Sequence, residues 1–314
     1  MTPNEIRERL NAMGIMGMNH RNALYVGPLN PRRAYPTVDN KQLTKRLAAR
    51  HGIPTPTLYD VIASHRRLRD LPRLASAWPA FVVKPSRGAA GNGILLVTGH
   101  DAAGVVKPSG ERLTWDEFTY HVACVLSGVH SLEGLEDEAL IEAYVRVDVT
   151  FEAVTYRGVP DIRVIVYRGV PAMAMVRLPT KASDGRANLH QGAIGAGIGI
   201  GTGMTRSAVQ GRRVVTEHPD TGQPVAGIAV PGWDDILDIA ARGTDMTGLG
   251  YLGADLVLDR TQGPLLLELN ARPGLAIQLA NQDGLRRRLT LIDRHQKPQF
   301  SPRDRVALAR DLFA

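Results

Sequence analysis

Apolar residues recur along the chain in two rhythms, and the clearest stretch lies near its C-terminal end. Two nearly continuous apolar runs, YLGADLVL (Tyr251–Leu258) and LLLELN (Leu265–Asn270), flank the turn-rich hexapeptide DRTQGP. Short apolar runs bounded by turn residues read as strands, so this stretch is a predicted β-hairpin. A helical rhythm marks NKQLTKRLAARH (40–51), where Leu43, Leu47 and Ala48 share a face; Gly52 and the Ile53-Pro54-Thr55-Pro56 segment end it in extended backbone. Further short strands are predicted at Phe81–Lys84 and Ile94–Val97, followed by a helical region around Trp115–Val129 and a strand at Leu140–Val145. Three antiparallel strands are then expected at Val149–Tyr156, Asp161–Arg168 and Pro171–Leu178. An amphipathic helix is expected over Gly232–Thr247, leading into the hairpin. There is no internal repeat. The glycine-dense GAIGAGIGIGTG (192–203) lacks the strand-then-helix context of a dinucleotide loop and reads as a flexible or close-packed β segment.

Composition narrows the class. A chain of 314 residues that is 44% hydrophobic and 22% charged is globular, with room for one large domain or two modest ones. Its one cysteine, Cys124, excludes an internal disulfide and any cysteine-based metal site. No apolar stretch reaches the length of a membrane span and the first residues, MTPNEIRERL, are charged, which predicts a cytoplasmic protein with access to ATP. The net charge of +7 suggests an anionic partner: nucleotide phosphates, an acidic peptide, nucleic acid or a membrane surface. Aromatics make up 5% and do not interleave with basic residues, so a nucleic-acid reader is disfavoured. The basic runs Arg32-Arg33, Arg66-Arg67 and Arg286-Arg287-Arg288 read as solvated faces.

Candidate chemistry sits on the predicted strands. Glu268 and Asn270, two residues apart, face the same side, and the hairpin brings the lone acid Asp255 towards them. Such a hard-oxygen set suits Mg²⁺, which takes one or two carboxylates plus nucleotide phosphates; the alternative is a solvent-facing polar stripe. Lys84 ends a strand directly before the loop PSRGAAGNG, whose Gly88, Gly91 and Gly93 let backbone N–H groups approach phosphate oxygens. It is not a Walker loop, and the alternative is an ordinary Gly-rich hairpin. Arg163, Arg177 and Asp161 each interrupt an apolar pattern on neighbouring predicted strands. An arginine on the inner face of a sheet needs an anion: a triphosphate, or Asp161 in an internal ion pair.

In combination these segments carry a family resemblance. DNKQLTKRLAARHGIPTP, FVVKPSRGAAGNGI, LIEAYV, DIRVIVYRG, ANLHQGA and LLLELNARPG occur in the order of the ATP-grasp carboxylate–amine ligases. Within these the chain resembles the α-L-glutamate ligase-related, or sugar-transfer-associated, ATP-grasp proteins over about residues 15–285. The resemblance implies an α+β ATP-grasp fold, two lobes with the nucleotide between antiparallel sheets. It divides the chain into an N-terminal cap segment (1–40), a small lobe with a glycine-rich lid (41–145), a large lobe with the Mg site (146–290) and a C-terminal tail (291–314). Only forty residues precede Lys41, too few for the separate α/β domain that usually opens such ligases, so the chain is expected to lack a full N-terminal pre-ATP-grasp domain, and acceptor specificity does not carry over.

Residue by residue, the resemblance implies that Lys41 and Lys84 hold the nucleotide phosphates under a lid formed by Arg87–Gly93. Where many relatives have Ser or a further Gly in that lid, this chain has Ala89-Ala90. Glu142 and the backbone at Tyr144 and Val145 match the hinge that receives adenine, and Asp148 the ribose-binding acid. Arg163 and Arg177 match contacts to the γ-phosphate and acyl phosphate. Asp255, Glu268 and Asn270 match ligands of Mg²⁺, for which Mn²⁺ is the substitute. Asn188, His190 and Arg272 fall near the reacting carboxylate, and His190 reads equally as a hydrogen-bonded structural histidine. The implied activity joins a carboxylate, activated as an acyl phosphate, to an amine, with glutamate or an acidic peptide or protein as candidate substrate. Competing expectations are a catalytically silent nucleotide-binding partner of a biosynthetic complex and a ligase making a sugar-linked acyl product.

Overall fold

The predicted apolar runs fold into antiparallel strands that gather in two units. The structure, a computed structural model, describes residues 2–88, 91–131 and 134–314. The smaller unit comprises Asp39–Lys45 and Thr55–Val145. Its strands are β1 (Leu58–Ile62), β2 (Phe81–Pro85), β3 (Leu95–Val97), β4 (Gly99–Asp101), β5 (Gly104–Val106), β6 (Arg112–Thr114) and β7 (Ala139–Ala143). They form a four-stranded sheet in the order β1-β7-β2-β3 and a three-stranded sheet β4-β5-β6. The helix Trp115–Leu126 starts at a capping box in which Thr114 and Glu117 each satisfy the other's backbone N–H. Its Phe118, Val122 and Val125 recur at helical spacing and are fully buried in one cluster with Phe81, Val83 and Ile141. Full burial of each such side chain contributes about 1.5–3 kcal/mol. Phe81 and Phe118 meet edge to face, centroids 6.0 Å apart at 69°, the geometry their ring quadrupoles favour.

The larger unit comprises Met1–Val38, Arg46–Pro54 and Arg146–Ala314. Its strands are β8 (Asp161–Tyr167), β9 (Val170–Leu178), β10 (Ile194–Ile198), β11 (Thr205–Gln210), β12 (Arg213–Val215), β13 (Tyr251–Asp259) and β14 (Gly263–Asn270). They make one seven-stranded sheet in the order β12-β11-β10-β9-β8-β13-β14. The helix Trp233–Thr247 buries Ile236, Leu237, Ile239 and Ala240 against it and stops at Gly248, whose φ of 72° suits a left-handed C-cap. Ahead of β8, Asn30 pins the N-terminal segment to the sheet: its Nδ2 donates to Tyr251 O (2.6 Å) and Ala271 O (2.9 Å), and its Oδ1 accepts from Tyr251 N.

The predicted hairpin 251–270 is present, closed by Asp259, whose Oδ1 accepts from Thr261 N and Gln262 N. The glycine-dense run is a close-packed strand: β10 is buried throughout, and a Cβ on Gly197 would lie 2.6 Å from Ala280 O. One predicted strand is corrected. Val149–Val154 is a 3₁₀ helix rather than the start of a strand. Asp148 caps it by accepting from Thr150 N, and Phe151 and Val154, three residues apart, turn into the core. Local capping and burial outweigh the β preference of Val, Thr and Phe here.

Candidate active site

In the larger unit, strand register assembles a grid of charges. Across β9 and β8, Arg177 is directly opposite Asp161; across β8, β13 and β14, Arg163, Asp255 and Glu268 form one row. Asp161 and Arg163 are two residues apart on β8, so both rows lie on one face. A β-bulge between Asp255 and Leu256 leaves Leu267 without an opposite residue and sets the pairing of Asp255 with Glu268. Arg163 grips Asp255 with both ends of its fork, Nε at 2.7 Å from Oδ1 and Nη2 on Oδ2. Arg177 does the same to Asp161, with Nη2 at 2.6 Å from Oδ2, and that nitrogen also lies 2.9 Å from Asp255 Oδ2. Asn270 Nδ2 donates to Asp255 Oδ2 (3.2 Å) and Glu268 Oε1 (3.3 Å).

Electrostatics follow from burial. Burial works to raise the Asp255 carboxyl, yet Arg163 and Arg177 hold it well below the usual carboxylate range. Burial pushes Asp161 up to about 7 against the pull of Arg177, with the charge of Asp255 adding to the rise. Both guanidinium groups are committed to Asp161 and Asp255, and among the described residues no salt bridge engages Glu268, which keeps oxygen lone pairs for a cation. Among the described residues there is no group of three or more His, Cys, Asp and Glu placed to hold a metal by themselves. Two carboxylates and an amide are instead the partial hard-oxygen set that Mg²⁺ completes with phosphate oxygens. The donors fit that ion on two conditions. A phosphate must draw the arginines from Asp255, and the Asn270 amide must turn its Oδ1 towards the carboxylates.

In the smaller unit a second charged cluster surrounds Glu142, which is 2% exposed. Lys84 Nζ is 2.8 Å from its Oε2 and Lys45 Nζ 3.2 Å from its Oε1. Burial works to raise Glu142, but the two lysines bring it below the usual range, while burial lowers Lys45 despite Glu142. Lys41 Nζ donates to the carbonyl of Gly88. Arg87 is exposed, and its backbone N–H donates to both oxygens of the buried Asp137, 3.1 and 3.0 Å away. Gly88 is packed so that a Cβ would meet Pro85 Cγ at 2.3 Å, and Gly91 and Gly93 have φ of 76° and 74°. Ala89 and Ala90 lie outside the described residues.

The remaining expected site residues are scattered more widely. Tyr144 and Val145 are half-buried, and burial raises the Tyr144 hydroxyl. Asp148 already spends Oδ1 on its helix cap. Asn188 caps the turn Leu189–Gln191 through Oδ1 to His190 N, leaving the His190 side chain exposed. Arg272 is exposed and lies over the Tyr35 ring, 5.2 Å from its centroid. Sequence reasoning had no role for Lys45 or Asp137. Lys45 had a signal, since it follows Lys41 by one helical turn; Asp137, in an acidic stretch, had none.

Comparison with known proteins places the chain, rather than individual residues, in a family. The ribosomal protein bS6–L-glutamate ligase of Salmonella paratyphi B is 27% identical over 275 residues, 87% of this chain and 69% of that protein. The D-alanyl-alanine synthetase A of Vibrio cholerae is similar in fold, with a TM-score of 0.50 at 14% identity over 82% of this chain and 64% of its own. The ATP-grasp ligase PsnB, solved with a minimal precursor, Mg and ADP, scores 0.44 at 15% identity over 89% of this chain and 62% of its own. The model of the sugar-transfer associated ATP-grasp family matches residues 20–294, and the chain belongs to that family.

Proposed function

We propose that the protein is an ATP- and Mg²⁺-dependent ligase that activates a carboxylate as an acyl phosphate and joins it to an amine. The observation that carries this reading is the row Arg163–Asp255–Glu268 with Asn270 beside it. It pairs cation-binding oxygens with guanidinium groups suited to a transferring phosphoryl group. Lys41, Lys84 and the Arg87–Gly93 loop, with Gly88, Gly91 and Gly93, hold the phosphates. The backbone at Tyr144 and Val145 receives adenine, and Asp148 the ribose. Glu142, saturated by Lys45 and Lys84, orients Lys84 rather than touching the base.

Asp255, Glu268 and Asn270 hold Mg²⁺, which supplies charge neutralisation on the phosphates. Arg163 and Arg177 stabilise the charge on the transferred group, and Asn188, His190 and Arg272 line the carboxylate's approach. The substrate carboxylate attacks the γ-phosphorus, ADP leaves, and the amine then displaces phosphate. No protein nucleophile takes part, so catalysis rests on positioning and charge. The net charge of +7, and a relative whose name records a ribosomal protein as its substrate, support an acidic peptide or protein acceptor. The test is an ADP-release screen with Mg²⁺ over the amino acids and short acidic peptides. Stimulation by a carboxylate–amine pair, lost in Glu268→Ala, is the expected result. Full turnover in Glu268→Ala, or ADP release that no amine alters, overturns the reading.

A further inference from the structure

At the other side of the sheet from that charge grid, the larger unit has a concave site. The hairpin β11–β12 lies at one edge of the seven-stranded sheet, whereas Asp255 and Glu268 lie on the two strands at the other. Beside this hairpin is a cavity of about 420 Å³ lined mainly by Leu10, Met13, Val209, Val214 and Leu279, with Arg212 at its rim. Its floor is built: Gln278, 3% exposed, accepts from Met16 N and Leu285 N and donates to Met16 O, tying the N-terminal segment to the helix Ile277–Asn281. Its mouth is unusually apolar for a surface. Val214 is 63% exposed and Leu279 52%, and Ile6 and Leu10, one turn apart on the helix Pro3–Ala12, extend the stripe.

Three features specify the occupant. Its surroundings are cationic: Arg212 lines the cavity, Arg213 follows on β12 and alternates to the face opposite Val214, and Arg7 and Arg9 share the helix with Leu10. Among the described residues none of these four arginines is in a salt bridge. Of the nearby acids, Glu5 caps its own helix, Glu8 falls on the face opposite Ile6 and Leu10, and Asp283 is held by Arg288. In addition, among the described residues β12 pairs only with β11, so its outer edge presents backbone donors and acceptors for one more strand. Val209 and Val214 are directly opposed in that pairing, so an added strand on β12 extends the apolar face they share.

We propose that this site binds an extended acidic peptide segment of a partner protein, which pairs with β12, places an apolar side chain in the cavity and sets its carboxylates against the arginines. A second copy of the chain is disfavoured because twofold symmetry brings like-charged rims together, and a membrane surface has no strand to offer an edge.

The test uses fluorescein-labelled octapeptides of alternating Glu and Leu, followed by anisotropy at 150 mM salt, roughly the physiological ionic strength. Saturable binding is expected, weaker by at least about tenfold for alternating Glu–Ser and Lys–Leu peptides, and likewise in Leu279→Glu and Arg212→Glu. Both substituted residues are exposed, so an unchanged melting temperature is the control for folding. Saturating Mg-ATP leaves the peptide affinity unchanged, which separates this site from the ligase reading. The proposal is overturned by absence of saturable binding, by equal binding of the Glu–Ser peptide, or by full affinity in both variants. Retention on phosphatidylglycerol vesicles, or a dimer, that Leu279→Glu abolishes while no peptide binds also overturns it.

Discussion

Arg177 donates to two carboxylates at once, the half-buried Asp161 and the buried Asp255, and this makes it a support of the fold as well as a candidate for catalysis. Removing one partner of a buried ion pair leaves an uncompensated charge and costs about 3–5 kcal/mol, whereas replacing both partners with apolar groups is often neutral. Arg177→Ala is therefore expected to lose unfolding free energy in that range, read as a lower urea midpoint at constant m value. The double replacement Asp161→Leu with Arg177→Met recovers much of the loss, yet ADP release stays absent in both. An unchanged midpoint in Arg177→Ala removes the structural half of this account, and ADP release by the stable double variant removes the catalytic half. Residues such as Glu268 and Asn270 were legible in the sequence because a polar group on an apolar strand is conspicuous. The Lys45–Glu142 pair was not, because it exists only once the helix Lys41–Arg50 and β7 are brought together by the fold. For Arg163 and Arg177 the sequence allowed either a phosphate or Asp161 as the anion; Arg177 does pair with Asp161, whereas the contacts of both arginines with Asp255 depend on strand register.

At the scale of elements, legibility followed the strength of local punctuation. The hairpin 251–270 was readable because two apolar runs surround a turn that Asp259 and Gly263 build on their own. The segment after Asp148 was misread because three β-favouring residues follow a cap whose effect depends on where Phe151 is buried. The glycine-dense strand β10 is the reverse case, where composition resembled a cofactor loop and packing decides. A Cβ on Gly197 would sit 2.6 Å from Ala280 O and 2.9 Å from Asn281 Cα, both backbone atoms that cannot swing aside. Gly197→Ala is expected to destabilise by about 1–3 kcal/mol through overpacking, read as a lower denaturant midpoint at constant m value. Gly248→Ala gives the comparison. No atom lies within 4 Å of a Cβ there, so its cost comes from the φ of 72° alone. If Gly197→Ala leaves the midpoint unchanged, β10 is not held against the helix Ile277–Asn281 as described.

At the scale of the whole molecule, the basic excess of +7 grows further on acidification, and the sequence holds nine histidines. One of them has a defined structural position. His121, on the helix Trp115–Leu126, meets the carbonyl of Gly93 through Nε2 at 3.1 Å, and its ring centroid lies 5.8 Å from that of His130. Burial lowers its pKa below the ordinary 6.5; the Gly93 carbonyl opposes this, and His130 and Lys107 add to the lowering. A histidine with a depressed folded pKa binds fewer protons folded than unfolded. Stability is therefore complete above the unfolded value of about 6.5 and falls as the pH drops below it. The melting temperature is expected to decrease between pH 7.5 and 5.5, with lower amide protection, corrected for the intrinsic pH dependence of exchange, at residues 91–97, where Gly93 is held. His121→Gln, which keeps a donor for that carbonyl without a titrating ring, should show a shallower pH dependence while the rest of the acid response persists. Equal slopes in the two proteins would assign the loss to general charge repulsion. A shallower slope places the glycine-rich loop under the control of a proton on the helix beneath it.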